Sequence, residues 1–174
     1  EIGETIYSQR QPIGKIEYCV TGKRRGPERA PKSGWKPFAV GQRWGGYDQT
    51  TWFRMRAVVP KSMKGQRVVA FINTTTRPFV WGAPDMIEGG EALAYVNGEP
   101  MQGLDRHHDE IYLVEKAKGG ERFDIALEAT PSTRHDHYHH FGYADIAAMN
   151  SQVWDFYWDC TVALEVWEQL DMNS

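Results

Sequence analysis

Between residues 52 and 129, apolar and polar side chains alternate in short segments that turn residues separate. In the first segment, Phe53, Met55 and Ala57 alternate with two arginines, as expected of a strand with one buried face. Five segments are predicted as strands: 52–58, 67–73, 91–97, 110–114 and 122–129. No helical pattern separates them, so a parallel β-α-β sheet is excluded and an antiparallel two-sheet sandwich of the jelly-roll type is predicted.

Two turn sequences indicate which strands are neighbours. Asn97-Gly98 is a dipeptide that readily forms the type I′ turn of a two-residue hairpin. The segment 118–121, Lys-Gly-Gly-Glu, separates the last two predicted strands and indicates a second hairpin. Neighbouring strands are therefore expected to be antiparallel.

The sequence on either side of this β region differs in character. Residues 1–34 show little periodicity, and 21–33 combine basic residues with proline and glycine, so a partly irregular N-terminal segment is expected. Apolar residues recur at steps of three and four across 144–170, which predicts one long helix or two shorter ones. The predicted organisation is a β-sandwich domain, 1–133, followed by a linker and helix, 134–174.

The predicted helix carries more apolar surface than one sandwich can cover. Its stripe comprises Ile146, Met149, Val153, Phe156, Cys160, Leu164 and Trp167. Four more residues widen this stripe beyond what a surface helix needs, so the helix is expected to pack on another domain as well: Tyr157, Trp158, Ala163 and Val166. Without that domain, we expect the face bearing Trp154, Trp158 and Trp167 to be exposed and to promote self-association.

Composition excludes several classes of protein. With 174 residues, of which 41% are hydrophobic and 25% charged, the chain has the profile of one folded domain. The net charge of −3 provides no field that would hold a nucleic acid, and no apolar run is long enough to cross a membrane. Motifs of the GxSxG, P-loop, GxGxxG and HExxH types are absent.

The cysteines and the ends of the chain carry two further expectations. Cys19 and Cys160 are too few for a disulfide framework, which favours a reducing compartment such as the cytoplasm. The chain begins at Glu1 without an initiator methionine and stops directly after the predicted helix. We therefore expect a domain excised from a longer protein.

The densest histidine cluster comprises His135, His137, His139 and His140. Neutral imidazoles at such spacing can share a metal ion, although a solvated loop is the alternative. A metal-dependent jelly-roll enzyme would need a carboxylate shortly after the first histidine pair, where this chain has Phe141, Tyr143 and Ala144. No metal ligand is assigned, and the four histidines are the candidates.

A second polar cluster comprises Asp105, His107, His108, Asp109 and Glu110. Carboxylates beside imidazoles are the groups that acid–base or metal chemistry uses. The structural alternative is that Asp105 caps a tight turn while a histidine forms a local hydrogen bond.

An aromatic segment, 35–54, is the third candidate. Trp44 or Tyr47 beside Asp48 could form a platform for stacking a sugar, whereas Trp35 and Trp52 are predicted to be core residues. Trp81 lies in a long loop between strands, where ligand contacts concentrate. The predicted carbohydrate-binding residues are Trp44, Tyr47, Asp48, Trp81, Asp105, His107 and His108.

Three blocks of the sequence resemble a known family. The blocks are WKPFAVGQRWGGYDQTTWFRMRAVVP, AYVNGEPMQGLDRHHDEIYL and FGYADIAAMNSQVWDFYWDCTVALEVWEQL. In order and spacing they resemble the N-terminal region of glycoside hydrolase family 38 α-mannosidases of the cytosolic and vacuolar type. A looser likeness exists to the galactose-binding-like jelly rolls of other glycosidases, and both resemblances imply a β-sandwich.

The resemblance implies a parent enzyme that hydrolyses terminal α-linked mannose with a divalent metal, usually zinc, and an aspartate nucleophile. Those residues belong to a downstream α/β barrel, so no catalytic residue and no cofactor is expected in this chain. Its implied tasks are to dock on the barrel, to shape the rim of the active site and to contribute to contacts between subunits. The implied partners are that catalytic domain and mannose-containing glycans.

Two hypotheses from other classes stay open. The chain could be a free-standing carbohydrate-binding module that uses the residues named above. It could also be a metal-dependent jelly-roll enzyme that uses the histidine cluster.

Overall fold

The computed structural model describes residues 5–22, 30–47, 49–75, 90–105, 108–131 and 138–171. These ranges contain twelve strands, a short 3-10 helix at Lys61–Met63 and one α-helix, α1, at Ser151–Asp171. The strands are β1 (Tyr7–Pro12), β2 (Ile16–Thr21), β3 (Lys36–Phe38), β4 (Arg43–Gly45), β5 (Thr50–Val58), β6 (Arg67–Asn73), β7 (Glu91–Val96), β8 (Glu99–Leu104), β9 (Glu110–Val114), β10 (Arg122–Thr130), β11 (Tyr138–His140) and β12 (Tyr143–Met149).

The strands form two main sheets that enclose one hydrophobic core. One sheet has four strands in the order β1-β12-β6-β9, and the other has six in the order β3-β2-β5-β10-β7-β8. β4 and β11 pair separately as a two-stranded ribbon. Within the described ranges every strand pairing is antiparallel, which confirms the predicted mainly β, two-sheet architecture with a C-terminal helix.

The alternation in β5 has the predicted consequence. Phe53, Met55 and Ala57 are buried in the core, whereas Arg54 and Arg56 lie on the outer face of the six-stranded sheet. All five predicted strands are present, and their ends differ from the predicted ends by no more than two residues. Alternation of apolar and polar residues is therefore sufficient to predict a strand where one face of that strand is exposed to water.

β6 and β12 are inner strands that are covered on both faces. Val68, Ala70 and Ile72 face the core between the sheets. Val69 and Phe71 belong to a second cluster on the opposite face of the four-stranded sheet, where the first turns of α1 pack. Burial on both faces explains why these strands are mostly apolar and do not alternate cleanly.

One predicted hairpin is confirmed and the other is wrong. Asn97 and Gly98 have φ angles of 54° and 91°, and they join β7 to β8 in a two-residue turn. The segment 118–121 contains a tight turn at two glycines, but it leads from β9 in the four-stranded sheet to β10 in the six-stranded sheet. The glycine pair allows the chain to make a tight turn, but core packing determines which strand pairs with which.

The prediction that the helical pattern begins at Ala144 is also wrong. Residues 143–149 form β12, which lies between β1 and β6, so the sandwich continues beyond residue 133. Ile146 and Met149 are spaced by three and fit a helical stripe, yet they are strand residues on opposite faces of the sheet. The predicted irregular segment 1–34 likewise contains two strands, β1 and β2, whose burial does not alternate cleanly.

None of the helical segments in the described part of the chain combines the length and hydropathy that a membrane crossing requires. Cys19 and Cys160 are both described, and neither forms a disulfide.

Candidate functional site

Trp44 packs inside the sandwich. Its side chain is 3% exposed, and its indole N–H donates a hydrogen bond of 2.6 Å to the carbonyl oxygen of Thr74. Phe53 meets the ring edge to face at 5.4 Å, and His139 lies 5.3 Å away. This ring is part of the core, so its packing provides no support for a sugar-stacking role.

The other predicted carbohydrate-binding residues do not form one described cluster. Tyr47 is 66% exposed at a loop. Asp48, Trp81 and His107 lie outside the described residues. Their role in carbohydrate binding therefore stays a prediction.

Asp105 and His108 form a turn between β8 and β9. The Asp105 carboxylate accepts a hydrogen bond of 2.8 Å from the backbone N–H of His108, and it lies 3.0 Å from Nδ1 of the same residue. The backbone N–H of Asp105 donates to the carbonyl oxygen of His108 at 3.1 Å. This geometry favours the structural alternative, a capped turn with a local histidine contact.

The two acidic residues that follow face a different part of the molecule. Asp109 accepts a hydrogen bond from the Tyr143 hydroxyl, and Glu110 accepts one from the Tyr7 hydroxyl. Burial, and to a smaller extent Asp109, raises the pKa of Glu110, although the bond from Tyr7 lowers it. The second polar cluster is thus divided between a turn and the outer face of the four-stranded sheet.

The histidine cluster is described only in part. His139 is buried and pairs in register with Trp44, whereas His140 pairs with Arg43 and is exposed. His135 and His137 lie outside the described residues. Among the residues that the structure describes, no three histidine, cysteine or acidic side chains converge as a metal site.

A groove of about 580 Å³ lies on the outer face of the six-stranded sheet, and we call it the sheet groove. It is lined by Lys15, Glu17, Ala30, Pro31, Trp35, Trp52, Arg54, Met55, Arg56, Gly98, Asp124, Ile125 and Ala126. Strand register brings its charged pairs together, because Glu17 lies opposite Arg54 and Asp124 lies opposite Arg56. Trp35, predicted as a core residue, is only half-buried in its wall, whereas Trp52 is almost completely buried.

Three ion pairs, Lys15–Glu17, Arg54–Glu17 and Arg56–Asp124, and one stacked guanidinium order the sheet groove. Arg54 Nε donates to the Glu17 carboxylate at 2.8 Å, and its guanidinium carbon lies 4.4 Å from the Trp35 ring centre. Arg56 donates two hydrogen bonds to Asp124, at 2.5 and 3.0 Å. Hydrogen bonds from Lys15 and Arg54 lower the pKa of Glu17, and the bonds from Arg56 lower the pKa of Asp124.

The sheet groove is not recognisable in the sequence alone. The alternation in β5 placed Arg54 and Arg56 on an outer face, but their partners come from strands distant in the sequence. The opposite charges of Arg56 and Asp124 are the feature of the sequence that could have indicated the groove. They indicate a contact only once it is known that β5 pairs with β10 in the register that places these two residues opposite each other.

A second candidate surface is the outer side of α1. Val153, Trp154 and Tyr157 pack against the second cluster, whereas every residue from 162 to 170 is exposed. Phe156, Cys160, Leu164 and Trp167 follow one another at steps of four, four and three, so they lie on one side of the helix. We call these four residues the α1 stripe, and all four are exposed.

Comparison with known proteins gives a consistent result. A sequence-family model described as "Alpha-mannosidase, jelly roll domain" matches residues 12–161. Human Alpha-mannosidase 2C1 is 27% identical over 117 residues, which is 67% of this chain and 10% of that protein. The chain therefore spans about a tenth of the length of this curated relative.

Two solved structures resemble the chain. A Faecalibacterium prausnitzii beta-glucuronidase has a TM-score of 0.54 at 11% identity, covering 83% of this chain and 32% of its own. A beta-glucuronidase from glycoside hydrolase family 2 has a TM-score of 0.47 at 17% identity, covering 82% and 18%. At 11% identity, the likeness to the Faecalibacterium prausnitzii enzyme concerns the fold alone.

Proposed function

The chain belongs to the family of alpha-mannosidase jelly roll domains, and we propose that it is the non-catalytic sandwich of an enzyme that hydrolyses terminal α-linked mannose. In this proposal the α1 stripe docks on the catalytic domain of the same polypeptide. The observation that carries it is the exposure of a continuous apolar stripe at the end of an otherwise well-packed domain.

The physical argument rests on what holds α1 in place. Only its first turns contact the sandwich, and short helices gain most of their stability from packing of an apolar face. Leu164 is 60% exposed and Trp167 is 61% exposed, which is unusual for side chains of this size in one patch of a monomer. A partner surface would supply the missing burial.

The occupant is inferred from the relative. Human Alpha-mannosidase 2C1 has about nine-tenths of its length outside the match, so a protein of this kind has ample chain to form the partner surface. The described residues bring together no three metal-ligating side chains. Following the resemblance to family 38 α-mannosidases, we assign zinc, the aspartate nucleophile and the hydrolytic step to the catalytic domain.

The proposal extends to the role of the docked sandwich, the substrates of the parent enzyme and its location in the cell. Docking through α1 would let the sandwich shape the rim of the active site or contribute to contacts between subunits. Mannose-containing glycans would be the substrates of the parent enzyme. We propose a cytoplasmic location because the chain has only two cysteines and both are free thiols.

A matched pair of substitutions in the full-length parent tests the docking. Leu164→Glu places a charge on the α1 stripe, whereas Val162→Glu places the same charge about 160° away around the helix. Val162 is 55% exposed, close to the value for Leu164. Because burial of one leucine contributes about 1.5 to 3 kcal/mol, we expect Leu164→Glu to weaken docking by about 2 kcal/mol or more.

The measurements are limited proteolysis at the end of α1 and hydrolysis of an aryl α-mannoside. Leu164→Glu should speed cleavage and lower activity relative to Val162→Glu. Equal behaviour of the two variants would refute docking through this stripe. A parent protein without activity on any α-mannoside would refute the proposed enzyme instead.

A further inference from the structure

The sheet groove is a concave surface to which neither the family match nor the docking proposal gives a role. It lies on the outer face of the six-stranded sheet, whereas α1 packs on the outer face of the four-stranded sheet. Its volume of about 580 Å³ falls within the range of roughly 300 to 1,000 Å³ that is usual for small-molecule sites. The groove is therefore large enough for a ligand of more than one ring.

A second cluster in the molecule shows what distinguishes the groove. Arg67 donates two hydrogen bonds to Glu115, at 2.9 and 3.0 Å, and its guanidinium lies 5.4 Å from the Tyr112 ring centre. This surface triad has the same chemistry as Arg54 with its carboxylate and tryptophan, but it is not part of the sheet groove. Of these two triads, the one that contains Arg54 lines the sheet groove, and the surface triad lies outside that groove.

The charges in the sheet groove nearly balance. Lys15, Arg54 and Arg56 face two carboxylates, Glu17 and Asp124. Both carboxylates have pKa values lowered by their partners, so both stay ionised at neutral pH. A phosphate would have to compete with these two carboxylates for cations that are already paired, whereas a neutral polyhydroxylated ligand can use the fixed donors and the fixed acceptors together.

The floor and wall of the groove fit the rings of such a ligand. Ala126 and Gly98 have little or no side chain and leave room above the sheet. Trp35 is held in the wall by a hydrogen bond of 2.9 Å from its indole N–H to the Pro31 carbonyl oxygen. The Arg54 guanidinium already lies over one face of Trp35, so the rest of this ring is the surface on which an apolar sugar face can pack while its hydroxyls form hydrogen bonds to the charged groups.

We propose that the sheet groove binds neutral hexose units of an oligosaccharide, with Trp35 as the apolar contact and the Glu17–Arg54 and Asp124–Arg56 pairs as hydroxyl partners. The choice of mannose as the hexose rests on the proposed function. The groove would hold the glycan on the sandwich while its terminal residue is processed elsewhere in the parent protein.

The test is titration of this chain, once its NMR spectrum shows that it is folded, with an α-linked mannotetraose at millimolar concentration. We expect shifts of the Trp35 indole and Gly98 backbone resonances. Trp35→Ala and Asp124→Asn should each weaken binding by about fivefold to tenfold, whereas Tyr112→Ala and Glu115→Gln in the surface triad should leave it unchanged. Because Asp124 and Arg56 are both exposed, Asp124→Asn tests the groove even if Trp35→Ala is unfolded.

Kinetics of the parent enzyme provide the second measurement. Asp124→Asn should lower kcat/KM on the oligosaccharide by a similar factor, a larger loss than on a small aryl α-mannoside, whereas Glu115→Gln in the surface triad should leave kcat/KM on the oligosaccharide unchanged. The proposal is overturned if the titration shows no change, or if the groove variants and the surface-triad variants lose the same amount of binding. It is also overturned if the resonances of the groove residues shift only when the rest of the parent chain is added, because that result would make the groove a contact between domains. If the titration shows no binding but the parent protein still cleaves mannosides, only the sugar-binding role of the groove is rejected. If the chain binds the sugar but the parent protein is inactive, only the proposed enzymatic activity is rejected.

Discussion

A single methyl group at Gly90 probes whether the Trp44 ring is fixed in the core. A Cβ at this position would lie 2.7 and 2.9 Å from two carbons of the Trp44 ring and 3.1 Å from the Thr75 hydroxyl oxygen. Movement of the ring away from the new methyl group is resisted, because Phe53 and His139 pack against it and its N–H is bonded to Thr74. Gly90→Ala is therefore expected to strain the core.

The size of the effect follows from this geometry. Overpacking of a well-filled core costs about 1 to 3 kcal/mol. Any glycine-to-alanine change also stabilises by about 0.4 to 1 kcal/mol through the unfolded chain. Gly103→Ala is the matched control, since Gly103 lies in strand β8, is exposed, and an added Cβ would meet no atom within 4 Å. The unfolded-state gain cancels between the two variants, and the difference of about 1 to 3 kcal/mol isolates the clash.

The assay is urea unfolding of the two variants and the unmodified chain, supported by thermal unfolding. For a chain of this size, 1 kcal/mol corresponds to about 2 to 4 °C, so the Tm values of the two variants should differ by about 2 to 12 °C. Equal stability of Gly90→Ala and Gly103→Ala would show that the Trp44 ring can move aside. In that case Trp44 would become a plausible ligand-contacting residue again.

Two further predictions concern charge and backbone strain. Because the pKa of Glu110 is raised in the folded chain by burial, its contribution to stability is fully present below the ordinary pKa of about 4.3 and is lost as pH rises through the folded pKa. Glu110→Gln should therefore flatten the dependence of the unfolding free energy on pH from about 4.3 upward, and an unchanged slope would contradict this. Gly98→Ala should cost about 1 to 2 kcal/mol, because φ is +91° and no atom lies near the added Cβ; stability equal to that of Gly103→Ala would contradict backbone strain.

The elements that could be predicted from the sequence are those in which one local rule decides the outcome. β5 alternates because one face meets the core and the other meets water. Asn97-Gly98 forms its hairpin because both residues adopt positive φ. In each case the conformation depends on neighbours in the sequence, so no knowledge of distant partners was required.

The wrong predictions concern places where distant partners decide. Residues 144–149 are mostly apolar with spacings that suit a helix, but pairing between β1 and β6 makes them a strand. The turn at 118–121 has hairpin chemistry, but β9 and β10 find their partners in different sheets. The sheet groove was invisible for the same reason, because Glu17, Arg54 and Asp124 become neighbours only through the registers of β2 and β10 with β5.

The α1 stripe shows a further limit of periodicity as a signal. The spacing of Phe156, Cys160, Leu164 and Trp167 indicates a face that is buried, yet within this chain all four residues are exposed. A periodic pattern predicts that a helix face is buried, but it does not predict whether the surface that covers this face belongs to the same domain. Since contacts with the second cluster extend along α1 only as far as Tyr157 whereas the stripe continues to Trp167, the helix has one part that the sandwich holds and one part that a partner surface must hold. Substitutions along α1 should therefore change from destabilising the sandwich itself, near Val153 and Trp154, to weakening attachment to the rest of the parent protein, near Leu164 and Trp167.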